Sequence, residues 1–235
     1  MMAQHSDTFS APELYLLAAA FDGNVLFGLP EKEVCQLKGE EVFKEAYQQL
    51  IHKGILTPEG KITETGAFVI QTVEQYYNSE KYVRINNVMF AFREKEHDEL
   101  ILLVEHEEHQ YELRIMSKAL VFKHLAETFP FVLREPEENE KSYLKIELSN
   151  HERRETQNYQ PENNMMNLEF FHLKEEPQQK YNSQFYQQWL IFTKDEKLIM
   201  VDTVDKKYYH ASQYWFLKLL FDELDFPYKE TRSYA

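Results

Sequence analysis

The chain has 235 residues, of which 43% are hydrophobic, with 17 Phe and 15 Tyr; that is enough apolar matter for a large core and too much for a disordered chain. Its 40 acidic against 26 basic residues leave a formal charge of −14, which repels phosphate backbones and anionic membrane surfaces, so nucleic acid is not an expected partner. The single cysteine, Cys35, excludes an internal disulfide framework and fits a reducing compartment. As a nucleophile it would need a positioned base; the other reading is an inert, partly buried thiol.

In chain order, MMAQHSDTFS has neither the basic nor the apolar segment of a signal peptide, and no run approaches the roughly 18 apolar residues of a membrane span, so a cytoplasmic protein without membrane insertion is expected. Ser10-Ala-Pro-Glu13 is a capping-box pattern with Pro12 in the first turn, and Leu14, Leu17, Ala18 and Phe21 form one apolar stripe of a helix ended by Asp22-Gly23-Asn24. VLFGLP, from Val25 to Pro30, is an apolar loop that must pack. A second helix runs from Glu40 to Lys53, with Val42, Phe43, Ala46, Leu50 and Ile51 inward and Gly54 as its stop. After the turn Thr57-Pro-Glu-Gly60 and a short extended piece, a third helix is predicted from Glu64 to Tyr77.

Strands follow. Val83 and Ile85 alternate with polar neighbours, and the phase shifts after Asn86-Asn87 so that Val88, Phe90 and Phe92 share a face, the pattern of one long strand with a bulge. Leu100 to Val104 is continuously apolar, whereas Tyr111, Leu113 and Ile115 alternate as in a half-exposed strand. A helix capped by Ser117 stops at Pro130, and Pro136 begins an acidic helix that carries Tyr143, Leu144 and Leu148 toward Ser149. Asn150 to Asn164 and Lys174 to Gln184 read as solvated connections. Asn167 to Leu173, Phe185 to Thr193 and Leu198 to Val204 are predicted strands, and a helix runs from Ser212 to Leu224.

The expected architecture is α+β and a single domain over residues 1–235. An N-terminal helical bundle (10–78) precedes two quasi-repeated strand-strand-strand-helix units (81–148 and 165–228), whose strands form one central antiparallel sheet flanked by helices. The unbroken apolar runs Leu100–Val104, Trp189–Phe192 and Leu198–Val201 require cover on both faces of that sheet.

No constellation in the sequence argues for catalysis. His106-Glu-Glu-His109, with His97 nearby, places its histidines at i and i+3 in a hairpin connection rather than at i and i+4 on a helix, which is the pattern of a solvated turn and not of a metal site. There is no phosphate loop, dinucleotide fingerprint or nucleophile elbow, so the expectation is a non-enzyme with no catalytic residues, cofactor or metal. Lys38 to Ala67 has the look of a winged helix. Ser10 to Glu80, however, holds five Lys and no Arg against eleven Asp and Glu, which removes the counterion-release term that drives DNA binding. The last helix is apolar on nearly every side, which means core or a partner-facing surface.

Taken in order, SAPELYLLAAAF, then VLFGLP, then a helix leading to KGIL, an EGKI turn and a further helix before the first strand resemble the EspG-type chaperones of bacterial type VII (ESX) secretion and their Gram-positive relatives. The likeness covers Ser10 to Arg93, a third of the chain. It implies a quasi-symmetric antiparallel sheet flanked by helical bundles, and a cytoplasmic, non-enzymatic chaperone that binds the apolar tip of a helical-hairpin secretion substrate and keeps it soluble for export. It directs attention to the hairpin residues Arg93, Glu94, Glu96, His97 and Asp98 between the first two strands, with Trp215 and Phe221 of the last helix as apolar candidates. Against these stand a purely solvated turn and a purely structural core. Two alternative functions remain: a winged-helix-like regulatory module that binds nucleic acid, and a structural component of the secretion machinery.

Overall fold

The computed structural model describes residues 8–93, 97–106, 110–161, 164–173 and 186–227. Seven α-helices and ten strands are found among them. The strands form one sheet, β1 (Thr8–Ser10), β2 (Lys81–Ile85), β3 (Val88–Phe92), β4 (Glu99–Glu105), β5 (Gln110–Ser117), β6 (Lys145–Glu147), β7 (Met166–His172), β8 (Tyr186–Lys194), β9 (Lys197–Asp202) and β10 (Lys207–Ala211). Their spatial order is β1-β5-β4-β3-β2-β7-β8-β9-β10-β6, antiparallel wherever the register is described, so the expected α+β architecture with a joint antiparallel sheet is the one observed.

The chain clusters into two compact units, one running to Tyr82 and resuming from Asn87 to Met116, the other made of Val83–Asn86 and the chain from Ser117 onward. In the first, α1 (Ala11–Ala18) starts at the expected capping box, with the Glu13 amide donating to Ser10 Oγ and the Ser10 amide to Glu13 Oε2. It packs against α3 (Glu41–His52) and α4 (Glu64–Tyr77), the latter capped by Thr63, whose hydroxyl oxygen accepts from the Gly66 amide. The loop Val25–Pro30 packs as its composition requires. Leu26 is buried, Phe27 stacks on Tyr82 at 4.4 Å, Tyr76 Oη donates to Phe27 O and Tyr15 Oη to Pro30 O. Gly28 is needed there: its φ is +82°, and a Cβ would lie 2.7 Å from Met89 Cε.

In the second unit, α5 (Lys118–Thr128) and α7 (Gln213–Leu224) begin where the sequence places their serine caps, Ser117 and Ser212. A cluster of phenylalanines joins them. Phe122 lies 5.3 Å from Phe221 and 5.6 Å from Phe226, and buried Lys118 donates to Asp225 O. Glu140, almost wholly buried, pairs with Arg134 and accepts from the Gln213 amide, so a carboxylate completes the N-terminus of α7.

Several expectations are corrected. The single bulged strand is the hairpin β2–β3: Asn86 adopts φ +52°, which Asn tolerates, and its side chain and amide bond Asn167 at the end of β7. The two repeats therefore hold four strands each, not three, and each half of the sheet gains a further edge strand, β1 or β6. The acidic helix predicted from Pro136 is a 3-10 turn (Glu138–Ser142) followed by β6, because pairing with β10 outweighs local helix propensity. The connection predicted from Asn150 begins instead with α6 (Asn150–Gln157), started by the capping box of Ser149 and Glu152. Helix α2 (Lys32–Leu37) and strand β10 were not anticipated. The loop expected over Lys174–Gln184 lies outside the described residues. No described helix is long and apolar enough to cross a membrane.

Candidate partner-binding groove

A groove of about 1310 Å³ lies in the first unit, between the first turn of α1, α2 and α3. Its walls are apolar, formed by Ala11, Pro30, Val34, Cys35, Val42 and Ala46. At its base Glu13, only 2% exposed, meets Lys53 at 2.5 Å; the Lys53 ammonium also donates to Thr8 O and sits 5.0 Å from the Phe9 ring. Lys53 is the C-cap of α3, where a cation suits the carbonyl end of the helix, so one side chain fastens α3 to both α1 and β1. Gly54, at φ +69°, turns the chain so that Ile55 enters the core and its carbonyl accepts from Thr63 Oγ1 and the Thr63 amide. The Lys-Gly-Ile-Leu motif is thus an anchor for the groove.

The two buried charges compensate each other. Glu13 accepts from the Ser10 amide and from Lys53, and the Lys53 ammonium donates to Glu13 and to Thr8 O. Burial pushes the Cys35 thiol up, with Lys38 only partly opposing, the reverse of what an activated nucleophile needs. What the groove offers is apolar contact with a charged rim. Val34, on its α2 side, is 45% exposed, and Leu37, further along α2 and outside the lining, is 87% exposed. This pair at i and i+3 was the signal for α2 that the sequence reading missed.

The residues singled out in the sequence separate. Arg93 is half-buried, its Nε donating to Gln75 Oε1 at 3.1 Å and its Nη1 pairing with Glu99, so it ties the start of the β3–β4 connection to α4. His97 and Asp98 are exposed in that connection, while Glu94 and Glu96 lie outside the described residues. Trp215 is half-buried and meets Trp189 edge-on at 5.4 Å, with the Lys145 ammonium 4.7 Å from its ring. Phe221 belongs to the phenylalanine cluster against Phe122 and Phe226. Trp215 and Phe221 therefore point to different neighbours from one helix. His106 pairs with Glu112 at 3.1 Å, His109 lies outside the described residues, and no group of three or more metal-capable side chains occurs among the described residues.

The fold thus joins an antiparallel α+β scaffold to a helix-walled groove whose buried charges pair with each other. The chain belongs to the family described as a domain of unknown function, DUF5081, whose model matches residues 3–232. It is also similar to the "Type VII secretion system protein EsaE" of Staphylococcus aureus strain USA300, at 26% identity over 150 residues, which is 64% of this chain and 67% of the relative. The same protein of strain NCTC 8325 / PS 47 matches to the same extent.

Proposed function

We propose that this protein is a non-enzymatic, cytoplasmic adaptor of bacterial type VII secretion, of the EspG-type chaperone kind, that holds a helical secretion substrate before export. The observation that carries this reading is the groove between α1, α2 and α3, whose volume matches roughly three turns of a helix about 10 Å across. An amphipathic helix laid in it would bury its apolar stripe against Val34, Val42 and Ala46 and leave its polar face to the rim. The likeness to EsaE supports the link to type VII secretion. His97 and Asp98, exposed beyond the Arg93–Glu99 pair, are proposed as a second contact with the same substrate.

The test is binding of purified protein to helical-hairpin proteins exported by its own secretion locus. Val34→Asp changes an exposed side chain of the groove lining, so the melting temperature should hold while affinity falls at least about tenfold. Unchanged affinity would remove the groove from the reading, and failure of every such substrate to bind the wild type would remove the chaperone function. Asp98→Lys, measured in parallel, tests the hairpin independently.

The small bridge Leu56–Ile62 between α3 and α4 gives the winged-helix alternative its one structural support, and the acidic balance of that region opposes it. Gel-shift binding with a steep salt dependence would favour that alternative. A structural component of the secretion machinery would instead co-fractionate with the membrane complex.

A further inference from the structure

Strand β6 closes one end of the strand order and is exposed along its whole length. The bonds from the Ser212 amide to Leu144 O and from the Leu148 amide to Tyr208 O show which backbone groups face β10: those of residues 144, 146 and 148. By the two-residue period of a strand, the N–H and C=O groups of Lys145 and Glu147 point the other way, to the open edge.

The side chains divide by the same period. Ile146 and Leu144, about half exposed, share a face with buried Leu148. Lys145 and Glu147 share the opposite face, where Tyr209 is the register partner of Glu147. The Lys145 ammonium lies over three rings, 4.5 Å from Tyr209, 4.7 Å from Trp215 and 5.7 Å from Trp189. It has no carboxylate partner, and Glu147 has no cationic one, among the described residues.

A lysine on a short edge strand ordinarily keeps other strands away by leaving its charge unmatched. Here the matching charge stands two residues further on the same strand, and one arrangement satisfies both. We propose that β6 is a self-pairing edge: two copies of the chain join β6 to β6, antiparallel and centred on Ile146. Lys145 of each copy then lies opposite Glu147 of the second copy, on the same face and within a hydrogen-bonded pair. Ile146 meets Ile146 of the second copy in the closer, non-hydrogen-bonded pair, and each Leu144 meets Leu148. The outward groups of Lys145 and Glu147 supply about four backbone hydrogen bonds across the two-fold axis, and the interface is isologous as a closed dimer requires. Its small extent makes it a weak, concentration-dependent dimer.

Sedimentation equilibrium of the full chain over a wide concentration range tests this. Glu147→Lys places two lysines opposite two lysines and should weaken the dimer about tenfold or more, and Lys145→Glu should do the same with carboxylates. The double swap Lys145→Glu with Glu147→Lys should restore self-association. Mixing the two single variants should restore it too, because one copy then carries only lysines and the other only glutamates. Lys145→Glu also gives up three ring contacts, so its melting temperature is checked. Glu147→Lys leaves those contacts in place and remains decisive if the other variant fails to fold. A chain that stays monomeric at every concentration overturns the proposal. So does a dimer indifferent to Glu147→Lys, or one that neither the swap nor the mixture rescues.

Discussion

Helices α7 and α6 start with the same device and are held by different forces. Ser212 Oγ accepts from the Trp215 amide, and Ser149 Oγ from the Glu152 amide, so each N-terminus has its serine cap. Beyond the cap they diverge. Helix α7 buries Phe216, Leu220 and Leu224 completely, while α6, of sequence NHERRETQ, buries only Thr156. Its ties to the sheet include Arg153, 5.2 Å from the Tyr208 ring, Glu152 beside His210, and, just past its end, Tyr159 stacked on Phe192 at 5.8 Å. A cap decides where a helix begins, and buried side chains decide whether losing it requires unfolding everything packed against it. Helix α7 is therefore bound to global stability and α6 to a local opening.

The largest expected effect breaks α7. Phe216 is fully buried, 5.7 Å from Phe131, and Phe216→Ala should cost about 3–5 kcal/mol in urea-unfolding experiments through lost transfer energy and a residual cavity. A loss below about 1 kcal/mol would show that α7 is not the keystone of its unit. The serine caps give a smaller and sharper comparison, because the chemical change is identical. Ser212→Ala should lower global stability by about 1 kcal/mol. Ser149→Ala should leave the urea midpoint nearly unchanged and speed amide exchange within α6. Equal effects on the midpoint would erase the distinction between the helices.

That distinction also explains what could be read beforehand. Helix α4 and the serine starts of α5 and α7 were readable because a cap and an apolar stripe agree there. Helix α6 has its capping box in plain view but no stripe, so composition pointed to a solvated connection. Strand β6 carried a signal that was overridden: Leu144, Ile146 and Leu148 alternate, yet the acidic run before them suited a helix start equally well. The groove was harder to foresee, since its base joins Glu13 to Lys53 across forty residues and no local pattern encodes such a pairing. The rings around Lys145 come from β8, β10 and α7, again a product of topology and not of spacing.

The smallest expected effect is a pH dependence confined to α6. Glu152 Oε2 accepts from the Ser149 amide at 2.9 Å and the Ser149 hydroxyl at 2.7 Å, and Oε1 lies 3.4 Å from His210 Nε2. The bonds from Ser149, with a smaller contribution from His210, hold the carboxyl down at about 2, against an ordinary value of 4.5. A carboxylate depressed by folding stabilises the folded form fully above its unfolded value and ceases to do so as pH falls through its folded value. The docking of α6 should therefore be complete above about pH 4.5 and weaken progressively toward pH 2, while α7, whose N-terminus is completed by buried Glu140, opens only with its unit. Hydrogen exchange at the Arg153 amide, which donates to Ser149 O within α6, reads this directly once the intrinsic pH dependence of exchange is divided out. Glu152→Gln keeps an acceptor for the Ser149 amide but cannot ionise, so it should flatten the dependence between pH 5 and 2. Protection at Arg153 that is the same at both ends of that window in the wild-type protein would show that the carboxylate does not secure the helix, and that Arg153, Thr156 and Tyr159 hold it instead.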